Sequence, residues 1–147
     1  MKNAVKGEGM MKVSVRRAAV SDIDALLRYD SHIGRETLMT RIEDGFVFAV
    51  LSCERIIGIL RYGLLWQTHP FLELLFLDPA HRGYGLGKIC MRSWEDLMRG
   101  AGYRYALTST QEDETAKSFY EKLGYEQCGS FFPPEQEAAE LIYRKRL

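Results

Sequence analysis

Asp78-Pro79-Ala80-His81-Arg82-Gly83-Tyr84-Gly85-Leu86-Gly87-Lys88 is the most informative stretch of this 147-residue chain. It lies between an apolar run, Phe71 to Leu77, that reads as a strand, and a segment from Leu86 with helical periodicity. Three alternating glycines remove Cβ atoms where a helix start exposes unpaired N–H groups and the positive end of its dipole. With Arg82 and Lys88 as cationic neighbours, Arg82 to Lys88 reads as a cradle for a pyrophosphate. Two other phosphate motifs fail on register. A dinucleotide fingerprint counted from Gly83 needs glycine where Lys88 stands, and a P-loop needs glycine at Arg82 and Ser or Thr at Ile89.

Outward from this stretch the chain reads as a succession of short elements without repeats or linkers. Lys12 to Arg17 alternates as a strand. Ser21 and Asp24 form a capping-box variant opening a helix to about Asp30, and a second helix is expected from Gly34 to Asp44. Phe46 to Leu51 and Ile56 to Trp66 form a hairpin about the turn Ser52 to Arg55. Leu86, Ile89, Cys90, Ser93, Leu97 and Ala101 share a helical face ending at Gly100 to Gly102, and Tyr103 to Thr110 returns to strand. Ala116, Phe119, Tyr120 and Leu123 mark a further helix stopped by Gly124. Two strands, Tyr125 to Phe131 and about Ala139 to Lys145, flank the Pro133-Pro134 loop. The order specifies an α/β (α+β) domain with a mixed sheet and packed helices. Residues 1–10, polar and glycine-containing, are expected to be a flexible tail, and residues 11–147 the functional domain; translation from Met1, Met10 or Met11 stays open.

Composition narrows the function. Twenty basic and twenty acidic residues cancel, so no positive field marks a nucleic-acid or membrane partner. An apolar share of 46% supports one core without disulfides or metal. Cys53, Cys90 and Cys128 suit reduced thiols acting as small core residues, which points to the cytoplasm, and no apolar run reaches the roughly 18 residues of a membrane span. His32, His69 and His81 lack metal-ligand spacing, so no metal is expected.

Arg82, Gly85 and Gly87 fit Arg-x-x-Gly-x-Gly, and Asp113-Glu114-Thr115-Ala116-Lys117-Ser118-Phe119-Tyr120-Glu121-Lys122-Leu123-Gly124-Tyr125 follows in order. At these two motifs the chain resembles the GNAT superfamily of acyl-CoA-dependent N-acyltransferases, whose second motif is often Asn-x-x-Ala-x-x-Phe-Tyr-Glu-x-Leu-Gly-Phe. The resemblance covers nearly the whole chain. It implies a single-domain fold with a mostly antiparallel sheet of about seven strands, a splayed parallel pair and about four helices.

It also implies acetyl-CoA as co-substrate, with its pyrophosphate at Arg82, Gly83, Tyr84, Gly85, Leu86, Gly87 and Lys88. The pantetheine arm would pair with the backbone of Leu75, Phe76 and Leu77, and the Leu77 N–H would serve as oxyanion donor. Tyr120 matches the residue that protonates the departing thiolate, a role a phenol near pKa 10 can fill at pH 7. Glu73, on the strand lining the cleft, either removes the amine proton or binds the amine. Asp113 stands where the family has an asparagine contacting pantetheine; it either keeps that contact or caps the following helix.

The acceptor would be an amine-bearing small molecule or peptide, met by Tyr29 to Glu36, Trp66 to Phe71 and Phe131 to Glu137. A homodimer paired through an edge strand near the C-terminus is a further expectation by analogy. The competing reading is a non-catalytic acyl-CoA-binding module or sensor.

Overall fold

The structure is a computed structural model that describes residues 3–6 and 12–147. The chain divides into two compact units, one comprising residues up to Tyr62 with Leu74–Trp94, the other Gly63–Glu73 with Glu95–Leu147.

In the first unit, β1 (Asn3–Lys6), β2 (Lys12–Arg17), β3 (Val47–Ser52) and β4 (Arg55–Leu65) pair as successive antiparallel neighbours, β4 contributing its residues up to Tyr62. β3 is buried at five successive residues, Val47 to Leu51, because both of its faces are covered. On one face α1 (Ile23–Leu27) and α2 (Arg35–Glu43) bring Ile23, Leu26, Leu38 and Ile42 against Val47, Ala49 and Ile59. The other set of side chains forms an aromatic group, in which Tyr62 lies 5.9 Å from Phe48 and 5.7 Å from Trp94 of α3 (Leu86–Gly100). Burial of these rings adds to the unit's apolar stabilisation. The turn between β3 and β4 is two residues long, Cys53-Glu54, with φ of 49° and 65°, as a type I′ hairpin requires.

The second unit holds β5 (His69–Leu77) as far as Glu73, then β6 (Tyr105–Gln111), α4 (Ala116–Lys122), β7 (Glu126–Phe131) and β8 (Glu140–Arg146), in the strand order β5-β6-β8-β7. β5 and β6 run parallel through Phe71↔Leu107 and Leu72↔Thr108; the other pairs are antiparallel. β6 and β8 alternate strictly, burying Ala106, Thr108, Thr110, Leu141 and Tyr143. α4 ends in a Schellman motif: Gly124 has φ +94°, its N–H donates to Glu121 C=O at 3.0 Å, and Tyr125 N–H donates to Tyr120 C=O at 3.1 Å.

The fold class is therefore the expected one, a mixed, mostly antiparallel sheet with four helices. Four readings change. The expected tail contains, at Asn3–Lys6, a strand antiparallel to Lys12–Val15, too short to show as a pattern; residues 1, 2 and 7–11 lie outside the described residues. The capping box sits two residues early, with Asp22 accepting from Ala19 N–H at 2.7 Å, so Ser21 is not the cap. The buried stripe of α3 turns toward Met91, Trp94 and Met98, the larger side chains, and leaves Ala101 exposed. Of the cysteines only Cys90 is core; Cys53 is in a hairpin turn and Cys128 on edge strand β7, both exposed.

Burial pushes the Cys90 thiol up to about 12 from 9.0. A thiol reagent at pH 8 is expected to label two cysteines of the native protein quickly and the third only on denaturation. Three fast thiols would contradict this packing.

Among the described residues no helix is long and apolar enough to cross a membrane.

Candidate active site

β5 ends at Leu77, and the next residues turn sharply. Asp78 accepts from Ala80 N–H at 2.9 Å through its carboxylate, while its carbonyl takes His81 N–H at 2.9 Å, closing a 3-10 turn over Pro79–His81. Gly83 and Gly85 then adopt φ of +85° and +74°, which L-residues with a Cβ avoid. α3 begins at Leu86, its first turn closed by Ile89 N–H to Gly85 C=O at 3.3 Å. Among the described residues, no protein acceptor meets the N–H groups of Gly83, Tyr84, Gly85, Leu86, Gly87 and Lys88. A Cβ on Gly83 or Gly85 would meet nothing within 4 Å, so the space beside these donors is open. Six consecutive donors at the positive end of a 15-residue helix suit a pyrophosphate. The residues present fit acetyl-CoA at this end.

The loop is tied to the strand it leaves. Arg82 donates from Nε to Leu77 C=O at 3.0 Å and lies 4.7 Å over the Phe76 ring. The charge expected beside the pyrophosphate thus also braces the end of β5. Lys88 is exposed on the first turn of α3, and Tyr84 is exposed before it.

Tyr29, the first residue of the expected acceptor segment, shares its hydroxyl between Ile56 C=O and Asp78 Oδ2, both at 3.3 Å. The Ala80 N–H chiefly holds the Asp78 carboxyl below its usual range, whereas burial first, then Asp78, pushes the Tyr29 phenol up. The same segment is anchored by a buried ion pair, Arg61 Nε to Asp30 Oδ2 at 2.7 Å, with Asp30 Oδ1 accepting from His32 N–H at 3.0 Å.

In the second unit Tyr120 projects from α4 and is 8% exposed. Burial raises its phenol above the usual value of 10.0, opposed by hydrogen bonding with Thr108 and reinforced by the charge of Glu114. Thr108 in turn donates to Leu72 C=O at 3.2 Å, on the last parallel rung of β5 and β6. Glu73 is the next residue of β5 and is exposed. Tyr120 and the strand position carrying Glu73 are therefore joined through one hydroxyl. A phenol that stays protonated at neutral pH can give up a proton but not take one.

The remaining predicted residues fall as follows. Leu75 and Phe76 are half-buried and Leu77 buried, at the end of β5 in the first unit. Asp113 is exposed, and the helix it was expected to cap begins at N-cap Thr115, so the capping alternative is wrong by two residues. Trp66, at a hairpin tip with φ of 53°, borders a cavity of about 410 Å³ with His69, Tyr105 and Leu107, at the start of β5 and β6. Phe131 and Phe132 are exposed.

Sequence reasoning missed Thr108, whose signal was the alternation of β6, and the partners Glu95, Lys145 and Tyr125 discussed below. It also missed the pair Asp30–Arg61, for which no local pattern exists.

The chain matches the sequence model of the acetyltransferase (GNAT) family over residues 17–125. Its fold is that of solved structures including Ard1 from Thermoplasma volcanium, with TM-score 0.81 at 14% identity, covering 92% of this chain and 97% of that one. The PaiA N-acetyltransferase from Thermoplasma acidophilum, in complex with coenzyme A, matches with TM-score 0.77 at 16% identity, covering 93% and 100%. Streptothricin acetyltransferase from Streptomyces lavendulae is 33% identical over 66 residues, 44% of this chain. The aligned segments span only about a third of the length of the curated relatives matched.

Proposed function

Because the chain belongs to the acetyltransferase (GNAT) family, we propose that it is an acetyl-CoA-dependent N-acetyltransferase, passing the acetyl group by direct attack to a primary amine of a small molecule or peptide. The observation that carries this reading is the run of unpaired N–H groups from Gly83 to Lys88, opening a helix beside the end of β5. The coenzyme A complex of the PaiA relative supports the same co-substrate.

Acetyl-CoA supplies an activated acyl carbon. Gly83 to Lys88 hold its pyrophosphate, and the backbone of Leu75, Phe76 and Leu77 pairs with the pantetheine arm. Asp113 contributes an acceptor to that arm where the family has an asparagine. Leu77 N–H donates to the thioester oxygen as negative charge develops there. The amine nitrogen forms a bond to the carbonyl carbon and loses a proton to Glu73. When the carbon–sulfur bond breaks, its electron pair goes to sulfur, and Tyr120 supplies the proton. Holding both reactants in place does most of the work. The three free cysteines suit the cytoplasm, and β7, an edge strand exposed at all six residues, is where a second copy would pair.

Thiol release from acetyl-CoA with a panel of primary amines tests the proposal. Amine-dependent release supports transfer; tight acetyl-CoA binding with no release for any amine would favour the binding-module reading.

Glu73→Gln separates the two roles of that carboxylate. An amine with pKa about 10.4 is mostly protonated at pH 7. Loss of the base is therefore expected to slow transfer chiefly at low pH, with recovery as rising pH deprotonates the acceptor unaided. A pH–rate profile of unchanged shape, with only the acceptor KM raised, reassigns Glu73 to amine binding.

A further inference from the structure

The second unit contains a buried polar cluster that the reaction above does not use. Glu95 of α3 is 2% exposed, and its carboxylate accepts from the Tyr125 hydroxyl at 3.0 Å and from Lys145 Nζ at 2.9 and 3.1 Å. Tyr125 is 3% exposed, and Lys145 Nζ also lies 5.6 Å from the centre of its ring. Three elements, α3, β8 and the segment after α4, thus meet at one carboxylate. A buried charge of this kind persists only when its partners satisfy it, which fixes those partners in turn.

Tyr125 touches Tyr120 twice. Its N–H donates to Tyr120 C=O in the Schellman motif, and its ring stands edge-on to that of Tyr120, with centroids 5.8 Å apart and planes at 69°. α4 has only seven residues, too few to hold its own orientation, so its direction depends on tertiary anchors. These include Thr108 of β6, hydrogen-bonded with the Tyr120 hydroxyl, Tyr143, donating to Glu121 at 3.2 Å, and Tyr125.

We propose that Tyr125, locked by the Glu95–Lys145 ion pair, is a positioning residue that sets the direction of the Tyr120 phenol. The proposal rests on Tyr120 being the acid that protonates the thiolate. Glu95 and Lys145 act through Tyr125 and contact no reacting atom.

The test uses the full chain carrying Tyr125→Phe, which keeps the ring and removes the hydroxyl. The chemical rate in single turnover, with acetyl-CoA and an amine accepted in the panel, is expected to fall about 10-fold, with the acetyl-CoA KM unchanged. In a Tyr120→Phe background the same substitution is expected to have no further effect, because nothing is left to orient. With tyrosine labelled with ¹³C at Cζ, the Tyr120 resonance, assigned by its loss in Tyr120→Phe, is expected to shift or broaden in Tyr125→Phe without acetyl-CoA present.

An unchanged rate with an unchanged resonance overturns the proposal, as does an equal loss in both backgrounds. If Tyr120→Phe itself turns over like wild type, the acid reading fails; a Tyr120 resonance displaced by Tyr125→Phe then still upholds the positioning contact. Should Tyr125→Phe not fold, Glu95→Gln, which keeps the side chain's shape, is read out in the same ways.

Discussion

Gly85→Val is expected to weaken acetyl-CoA binding by at least roughly 100-fold in calorimetry while leaving the protein folded. Gly85 has φ +74°, a conformation that a β-branched residue adopts only at a cost. The added Cβ meets no protein atom within 4 Å, so the substitution fills no packed space. What it changes is the loop's path and the open space beside the N–H groups. Hydrogen bonds to a charged partner contribute about 1.5–3 kcal/mol each. Losing two of them gives at least the quoted factor, since each 1.4 kcal/mol or so is tenfold. Unchanged affinity in a folded variant would remove the pyrophosphate from this loop.

Tyr120→Phe is expected to lower kcat by at least about 100-fold, the lower end of what general acids contribute, with little change in acetyl-CoA affinity. The ring keeps its packing against Phe119 and Tyr125, at 5.1 and 5.8 Å, so only the hydroxyl is lost. Burial holds that phenol protonated beyond its ordinary range, so the donor is present throughout the neutral pH region. A purely structural tyrosine gives the opposite pattern, reduced thermal stability with near-normal turnover. Single-turnover measurement separates the chemical step from product release, and equal chemical rates there would refute the acid role.

What could be read from the sequence was local. The glycine spacing before α3, the strand after Tyr103 and the i, i+3, i+4 face of α4 each occupy a few consecutive residues. Each is dictated by backbone geometry, and each appears where expected. Gly124 ends α4 as its placement after Leu123 requires. The first helix shows the limit of local reading. Ser21 and Asp24 have the spacing of a capping box, yet Asp22 reaches back to Ala19 and also pairs with Arg16 at 2.7 Å, a partner that a capping pattern ignores.

Long-range partners left no pattern at all. Nothing in the sequence marks Glu95, whose buried carboxylate is paired with Lys145, fifty positions later. Asp30 and Arg61, 31 positions apart, are invisible for the same reason, though their pair anchors the segment expected to face the acceptor. Cys53 and Cys128 stand in apolar surroundings in sequence, but a hairpin turn and an edge strand put them at the surface. Of the candidate site, the glycine spacing and Tyr120 could be named from the sequence; the side chains that touch Tyr120, Thr108 and Tyr125, required the fold.

The most direct measurement is hydrogen–deuterium exchange of the full chain with and without acetyl-CoA, since it reports on the N–H groups themselves and needs no knowledge of the acceptor. The account predicts protection concentrated in Gly83 to Lys88, because those donors lack protein acceptors until a pyrophosphate arrives. Saturating acetyl-CoA that leaves exchange in this segment unchanged would contradict it.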